Sequence, residues 1–231
     1  MTHDQKPLLG IFGGTFNPVH LGHMRLVTEV LESVRPERLD LLPSARPPHK
    51  GGRRLLPFAL RVELLEAATA GMDNVFVNTL ENERNTPSYT VDTLRIYREQ
   101  ERGSRLFFIL GAEDFSLIAT WQQWEMLPLL ADIVVVPRSG AAQEVFSDTV
   151  RDLWPLAIPT CPPFEASDVA YAIPGVAGAG RFIHLPLPRL DIRAELIRER
   201  ILAERSVRFL VPDSVYTILE KHPEAATLWR A

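Results

Sequence analysis

The sequence predicts an α/β fold: a doubly wound parallel sheet followed by a small C-terminal helical part. Three observations predict it. Short apolar runs alternate along the chain with longer amphipathic segments. The runs are apolar throughout, as is typical of strands that helices cover on both faces. The connections between the runs are too long for hairpins, so they indicate crossovers between parallel strands.

The predicted elements follow one another from the N-terminus. The apolar runs that predict strands are residues 8–13, 39–43, 75–80, 105–111, 132–137 and 181–187. The segments that predict helices are residues 23–34, 58–70, 86–100, 113–127, 190–204 and a last one that begins near Asp213. Apolar residues three and four positions apart would form the buried face of each helix. Pro87 and Ser88 are typical of a helix start, and Asp191 is expected to act as an N-cap.

One domain is expected over residues 1–231, because a chain of this length with 46% hydrophobic residues can form one sizeable core. Residues 139–180 interrupt the alternation of strands and helices, although residues 145–156 favour a short helix. Much of this segment is rich in Pro, Gly and Ala without a clear period, which predicts an irregular, insertion-like loop. Residues 188–231 would form a C-terminal helical subdomain.

Composition argues against several classes of protein. The net charge of −4 gives no basic signature of nucleic-acid binding. The single cysteine, Cys161, excludes an internal disulfide and fits a reducing compartment. The first residues lack the apolar segment of a signal peptide, and no window reaches the roughly 20 apolar residues of a membrane span. These features predict a soluble cytoplasmic protein without nucleic-acid or membrane partners, and they leave a homo-oligomer open.

The segment GIFGGTFNPVHLGH, residues 10–23, is the strongest candidate for chemistry. It follows an apolar run directly, and open α/β sheets bind ligands at the carboxyl ends of their strands. Gly13 and Gly14 allow a sharp turn and a close approach to a ligand, and Thr15 adds a hydroxyl. The N–H groups of the helix expected to start near residue 20 or 21 would favour an anion there.

Two histidines, His20 and His23, lie three residues apart on the first turn of that helix and therefore share a face. They would donate to the same anion, and Gly22 keeps space free between them. This pattern favours phosphate binding with charge stabilisation during phosphoryl or nucleotidyl transfer. Zinc is disfavoured, because two histidines without a third ligand nearby are too few. The alternative is structural: one histidine caps the helix and the other packs.

Several motifs resemble those of known nucleotidyltransferases. GIFGGTFNPVHLGHM resembles the signature of the nucleotidyltransferase α/β-phosphodiesterase superfamily, with HLGH as its HxGH motif. Segments similar to nicotinate-nucleotide adenylyltransferases are LLPSARPPHK, TPSYTVDTL, LGAEDFSLIATWQQWEML and FLVPDSVYTILEKH. The resemblance extends over nearly the full chain and implies a Rossmann-like nucleotidyltransferase fold.

The resemblance implies an enzyme of NAD biosynthesis that joins ATP and nicotinate mononucleotide into deamido-NAD and pyrophosphate. The mononucleotide phosphate would attack the α-phosphorus of ATP in line, with His20 and His23 as catalytic residues and Mg²⁺ arriving with ATP. One alternative is another acceptor, such as nicotinamide mononucleotide or phosphopantetheine; another is a protein that binds a pyridine nucleotide without turnover. A NAD-dependent dehydrogenase is disfavoured, because the glycines lack G-x-G-x-x-G spacing.

The resemblance also implies which residues bind the two substrates. The residues implied for ATP are Gly13, Gly14, Thr15, Phe16, Arg138 and Arg198. The residues implied for the mononucleotide are Arg46, Lys50, Tyr89, Thr90 and Trp121. Lys50 would hold the phosphate, Trp121 would stack on the pyridine ring, and the helix start at Tyr89 and Thr90 would receive the pyridine carboxylate. Without the resemblance, these would be a solvated lysine, a core tryptophan and an ordinarily capped helix.

One segment departs from the family pattern. The resemblance implies a second phosphate motif, I-S-S-T-x-I-R, at the start of a late helix, and the corresponding residues 192–198 read IRAELIR. Arg193, Ala194 and Glu195 stand where the family has hydroxyl side chains. Glu195 beside a triphosphate would be repulsive, on the order of 1 kcal/mol or more. Arg193 would oppose that repulsion, and the backbone N–H groups of the helix start remain.

Overall fold

The computed structural model describes residues 6–48, 55–137, 142–188 and 190–230. The strands in these residues are β1 Leu8–Gly14, β2 Arg38–Pro43, β3 Val75–Val77, β4 Arg105–Gly111, β5 Asp132–Val136, β6 Ile158–Thr160, β7 Val169–Ala172 and β8 Arg181–His184. The α-helices are α1 Leu21–Val34, α2 Phe58–Thr69, α3 Thr90–Gln100, α4 Ala112–Ser116, α5 Leu127–Leu130, α6 Ala142–Leu153, α7 Ala194–Leu202, α8 Asp213–Lys221 and α9 Glu224–Arg230. Short 3₁₀ turns lie at Leu80–Glu83, Ile118–Thr120 and Trp124–Met126.

The strands form one mixed sheet in the order β3-β2-β1-β4-β5-β8-β7-β6. Strand β4 is parallel to β1 and β5, and β5 is parallel to β8, whereas β7 is antiparallel to both β6 and β8. The predicted doubly wound α/β fold with a mostly parallel sheet is confirmed. The strand order reverses between β1 and β4, which is where such folds bind ligands.

One long helix was expected over residues 113–127, and that prediction is wrong. The segment forms α4, two 3₁₀ turns and the start of α5. Gln123 adopts a left-handed conformation with a φ of 49°, which interrupts any continuous right-handed helix. Pro128, at the start of α5, also suits a new helix start better than a helix interior.

Two helix starts also differ from the prediction. Helix α7 begins at Ala194 rather than near residue 190, and Arg193 occupies the N-cap position without a side-chain capping bond. Asp191 therefore does not cap this helix. Helix α3 begins at Thr90 rather than at residue 86.

Part of the segment predicted to be irregular, residues 139–180, is regular. It contains α6, β6 and β7. Phe146 and Val150 lie one turn apart on α6 and are fully buried, which explains the helix. Gly175 and Gly178 have φ values of 76° and 79° in the turns between β7 and β8. The glycines of this segment therefore connect antiparallel strands rather than forming one long loop.

The chain contains two compact units. The first comprises Met1–Gly13, Val30–Asp40 and Tyr89–Leu187, and the second comprises Gly14–Glu29, Leu41–Ser88 and Pro188–Ala231. The single domain and the C-terminal subdomain expected from the sequence stay predictions. In the described part of the chain, no helix has both the length and the apolar character needed to cross a membrane.

The first unit has an aromatic core beside its parallel strands. Phe182 of β8 lies 4.4 Å from Trp154 between ring centroids, and Phe115 lies 5.5 Å from Phe146. Each buried aromatic ring removes a large apolar surface from water. Gly10 lets β1 approach β4, because a Cβ there would lie 2.4 Å from the ring of Phe107.

The second unit has a helical core. Leu64 and Leu65 of α2 are fully buried, as is Val215 of α8. The hydroxyl of Ser214 donates to the carbonyl of Ala67 at 2.8 Å, which joins α8 to α2. This unit carries the turn after β1 and the first turns of α1.

Candidate functional site

The segment at the carboxyl end of β1, residues 14–17 (hereafter the 14–17 turn), has an unusual backbone. Phe16 adopts a left-handed φ of 47°, and the peptide bond between Asn17 and Pro18 is cis. The Phe16 side chain is 2% exposed. A Cβ on Gly14 would lie 3.1 Å from that ring, and His23 meets the ring edge-on at a centroid distance of 5.0 Å. Any contact of Phe16 with ATP would therefore come from its backbone.

His20 and His23 form a reciprocal pair on the first turn of α1. The backbone N–H of His20 donates to Nδ1 of His23 at 3.2 Å, and the backbone N–H of His23 donates to Nδ1 of His20 at 3.3 Å. The two rings stack with their centroids 3.6 Å apart. Each histidine thus binds the backbone of the other, and the sequence-based interpretation of one cap and one packing residue does not describe the pair.

These bonds fix the tautomer of both imidazoles. A neutral imidazole has one donor nitrogen and one acceptor nitrogen. Because Nδ1 accepts a backbone N–H in both His20 and His23, we assign the proton of each neutral ring to Nε2. The pair therefore has two Nε2–H donors at a helix start. Such an arrangement suits the stabilisation of negative charge on phosphate oxygens.

Gly22 is required for the close packing of this turn. A Cβ at this position would lie 3.0 Å from Nδ1 of His20 and 3.0 Å from the carbonyl oxygen of Ile192. Ile192 lies two residues before Ala194, the first residue of α7. Any side chain at position 22 would therefore displace an imidazole, a main-chain carbonyl or both.

Arg61 of α2 lies behind the 14–17 turn. Its side chain is almost fully buried. Nη1 donates to the carbonyls of Thr15 at 2.8 Å and Ser44 at 2.9 Å, and Nε donates to the carbonyl of Leu56 at 3.1 Å. Burial lowers the pKa of the guanidinium to about 10, against the opposing charge of Glu81. Arg61 is therefore a buried cation at neutral pH.

Two further side chains hold the same turn. The buried Asn17 accepts from the backbone N–H of Leu56 through Oδ1 at 2.9 Å. Arg198 of α7 donates from Nη1 to the carbonyl of Asn17 at 2.9 Å, and its Nη2 lies 3.8 Å from Glu195. Arg198, predicted to bind ATP, is thus brought to the segment that contains His20.

Arg46, predicted to bind the mononucleotide, is directed towards residues 84–88. Its guanidinium donates to the carbonyl of Arg84 and to Oδ1 of Asn85. The backbone N–H of Arg46 donates to the hydroxyl of Ser88 at 2.9 Å, and the N–H of Ser88 donates to the carbonyl of Arg46 at 3.0 Å. Arg46 therefore joins the segment after β2 to the TPSY segment.

Trp121 and Gly13 lie against the same ring in the first unit. Phe108 of β4 meets Trp121 edge-on at a centroid distance of 6.4 Å. A Cβ on Gly13 would lie 3.1 Å from the Phe108 ring. Trp121 is neither fully buried nor fully exposed, so it retains an accessible surface for stacking.

Helix α3 begins without side-chain capping. Tyr89 is its N-cap residue and makes no side-chain capping bond. The hydroxyl of Ser88, a residue typical of a helix start, accepts from the backbone N–H of Arg46 instead. The first N–H groups of α3, from Thr90 onwards, therefore keep the character of an anion-binding helix start.

Two of the predicted binding residues, Lys50 and Arg138, lie outside the described residues. In residues 192–198, the segment that departs from the family pattern, Arg193 lies 3.6 Å from Asp191 and Glu195 has an exposed side chain. No group of three or more His, Cys, Asp or Glu side chains in the described ranges could hold a metal ion. The donors present are imidazoles, guanidinium groups and backbone N–H groups, which suit an anion.

Sequence reasoning missed Arg61 and Asn17. The signal for Arg61 was present, because it lies three and four residues before the buried Leu64 and Leu65 and so shares their apolar face. A charged residue on such a face needs partners within the fold. Nothing in the spacing of Asn17 marks its buried amide.

Comparisons with known proteins give a consistent result. A family model described as cytidylyltransferase-like matches residues 11–200. A Pseudomonas aeruginosa protein described as "Probable nicotinate-nucleotide adenylyltransferase" is 39% identical over 218 residues, which cover 93% of this chain and 95% of the relative. A Geobacter metallireducens protein of the same description is 35% identical over 208 residues, covering 89% and 92%.

A solved structure supports the fold. The Plasmodium falciparum nicotinic acid mononucleotide adenylyltransferase complexed with NaAD gives a TM-score of 0.69 at 14% identity, with 94% of this chain and 96% of that chain covered. At this identity the likeness shows the fold alone, and the family follows from the sequence relatives. The chain belongs to the cytidylyltransferase-like family and, within it, to the nicotinate-nucleotide adenylyltransferases.

Proposed function

We propose that this enzyme transfers the adenylyl group of ATP to nicotinate mononucleotide and releases pyrophosphate. An oxygen of the mononucleotide phosphate forms a bond to the α-phosphorus of ATP, and the bond from that phosphorus to the bridging oxygen of pyrophosphate breaks. The products are deamido-NAD and pyrophosphate, and no residue is modified. The observation that carries this proposal is the reciprocal pair of His20 and His23, in which Nδ1 of each ring accepts the backbone N–H of the other residue.

His20 and His23 would donate from Nε2 to oxygens of the α-phosphate. Negative charge on those oxygens is redistributed in the transition state, and fixed donors stabilise it without reorganisation. The backbone bonds to Nδ1 keep both rings oriented before substrate binds. Pre-orientation of this kind lowers the entropic cost of reaching the reactive geometry.

The triphosphate would be held by the 14–17 turn together with Gly13, Arg138 and Arg198. Arg198 is anchored to the carbonyl of Asn17. Mg²⁺ would arrive with ATP and neutralise phosphate charge when bound. The described residues provide no carboxylate cage for the ion, so we expect phosphate oxygens and water to be its main ligands.

The acceptor would be the acid rather than the amide. The start of α3 at Tyr89 and Thr90 lacks side-chain capping, and a carboxylate satisfies such N–H groups better than a neutral amide does. Trp121 would stack on the pyridine ring. Arg46 and Lys50 would serve the mononucleotide phosphate, with Arg46 also positioning the TPSY segment through Ser88.

The test is pyrophosphate release from ATP and Mg²⁺ with nicotinate mononucleotide and nicotinamide mononucleotide as parallel acceptors. We expect turnover with the acid and at least tenfold lower kcat/KM with the amide. Equal turnover with both would refute the assignment of acid preference. Binding of the mononucleotide without pyrophosphate release would instead support a non-catalytic protein, with the altered segment at Arg193 and Glu195 as its cause.

The single exposed cysteine, Cys161, fits our expectation that the reaction takes place in the cytoplasm.

A further inference from the structure

Arg61 is a fully buried charged side chain beside the 14–17 turn, and no role above uses it. It is 1% exposed. A buried guanidinium is costly unless hydrogen-bonded, and this one donates to three main-chain carbonyls. All three acceptors are uncharged. Its hydrogen-bond acceptors are therefore all main-chain groups, while Glu81 supplies an opposite charge and the Phe58 ring lies 5.3 Å from its Cζ.

The bond to Thr15 determines the orientation of one peptide group in the 14–17 turn. The carbonyl oxygen of Thr15 points at Nη1 of Arg61 from 2.8 Å. In a trans peptide the N–H lies opposite the carbonyl, so the N–H of Phe16 points away from Arg61. Arg61 thereby keeps the carbonyl oxygen of Thr15 on the side of the turn that faces the guanidinium. If that peptide were released, it could rotate and present its oxygen to a phosphate.

The bond to Ser44 does the same for the segment after β2. The carbonyl of Ser44 accepts from Arg61 at 2.9 Å, and the N–H of Ala45 donates to the buried Glu81 at 3.3 Å. The peptide between residues 44 and 45 is thus held at both ends by side chains of opposite charge. The N–H of Ser44 also donates to the carbonyl of Gly14 at 2.8 Å. One guanidinium therefore links the 14–17 turn to the segment that follows β2.

We propose that Arg61 is a positioning residue: its guanidinium fixes the peptide groups at Thr15 and Ser44 so that the 14–17 turn accepts phosphate. This rests on the proposed function. Arg61 itself need not touch substrate. Its positive charge behind the turn also favours an anion in front of it.

The test compares Arg61→Lys and Arg61→Met with Thr69→Val. Lysine retains a charge but cannot form the planar fork, and methionine removes both. Thr69 is a matched control on the same helix, because it is buried and its hydroxyl donates to the carbonyl of Leu65 at 2.9 Å. Two quantities are measured on folded protein: kcat for pyrophosphate release, and the Kd of inorganic tripolyphosphate by calorimetry.

We expect Arg61→Lys to lower kcat at least tenfold and to raise the Kd of tripolyphosphate at least threefold, with larger effects in Arg61→Met. Thr69→Val should lower the free energy of unfolding but change kcat and the Kd of tripolyphosphate by less than twofold. Should Arg61→Met fail to fold, Arg61→Lys decides alone. Values for Arg61→Lys within twofold of the wild type would overturn the positioning role.

The two proposals fail in different ways. If the wild type shows no pyrophosphate release, the adenylyltransferase assignment fails, and the Kd of tripolyphosphate still tests Arg61. If the wild type turns over and neither quantity responds to Arg61→Lys, the assignment stands and Arg61 is a structural residue only.

Discussion

At the scale of single residues, we expect His23 to contribute to kcat rather than to binding of the mononucleotide. Replacing it with Ala removes an Nε2–H donor and also the acceptor of the His20 N–H. We expect kcat to fall by about 10²–10³-fold, the usual effect of losing one fixed donor to a developing charge. The Kd of the mononucleotide should change less than threefold, measured by calorimetry beside steady-state kinetics.

Two amide variants separate the two functions of His23. In His23→Asn the side-chain amide can replace Nδ1 as acceptor but does not reach the position of Nε2. His23→Gln has the opposite capacity. We expect the glutamine variant to keep more activity than the asparagine variant. Normal turnover in His23→Ala would rule out a catalytic role for this imidazole.

Trp121 is expected to contribute to mononucleotide binding. It has an accessible surface and rests edge-on against Phe108. Loss of an aromatic stack costs about 0.5–1.5 kcal/mol, so Trp121→Ala should raise KM for the mononucleotide roughly three- to tenfold in steady-state assays. Trp124→Ala is the control, because Trp124 packs on Trp154 at a centroid distance of 5.0 Å. If both variants lost stability and neither changed KM, Trp121 would be a packing residue.

The first turn of α1, as an element, depends on Gly22. In Gly22→Ala the new methyl would lie about 3.0 Å from both the His20 ring and the Ile192 carbonyl. One of them must move, and overpacking of this kind costs about 1–3 kcal/mol. We expect kcat to fall at least tenfold. Gly103→Ala is the matched control for backbone entropy, because a Cβ there would meet nothing within 4 Å. Similar kinetics in Gly22→Ala and the wild type would show that the first turn of α1 accommodates a methyl group.

The start of α7 tests the departure from the family pattern. The side chain of Glu195 is exposed and lies 3.8 Å from Arg198. Replacing it with Thr removes a negative charge near the proposed triphosphate position. With a repulsion on the order of 1 kcal/mol, Glu195→Thr should lower KM for ATP about fivefold in pyrophosphate-release assays. A rise in KM would instead mean that Glu195 helps to hold Arg198 in place.

The elements differ in how well their sequence predicts them. Helices α1 and α2 were predictable because apolar side chains recur three and four residues apart. The segment after β4 was not, since a left-handed residue at Gln123 is a local conformation that hydrophobic spacing does not reveal. Residues 139–180 were mistaken for loop because many Pro, Gly and Ala residues hide two strands of only three and four residues.

The candidate site shows the same limit. His20 and His23 were predictable from a glycine-rich strand end followed by a helix start. Their reciprocal bonds were not, because these depend on side-chain rotamers. Arg61 lies 46 residues from Thr15 along the chain, and no local spacing connects positions so far apart.

The whole molecule contains a second polar network whose role we expect to be stability alone. Asp40 is fully buried; it accepts from Arg38 at 2.6 and 2.8 Å and from the hydroxyl of Tyr97 at 2.7 Å. Burial, with the adjacent Asp40, raises the pKa of Tyr97, so its hydroxyl stays a donor at neutral pH. Tyr97→Phe leaves part of a buried carboxylate unsatisfied and should lower the free energy of unfolding by about 1–3 kcal/mol, measured by urea denaturation. A kcat that fell with it would contradict a purely structural role.

The anchoring of the 14–17 turn by Arg61 bears on protein engineering. A designer who transplanted residues 14–23 into another α/β scaffold would carry both imidazoles but leave behind α2 and the segment after β2. The graft would then lack the guanidinium that orients Thr15 and the carbonyl of Ser44 that shares it. We expect such grafts to contain both histidines but to lack the native backbone conformation of the 14–17 turn. A module that keeps Arg61 with both of these carbonyls therefore has to run at least from β1 to the end of α2.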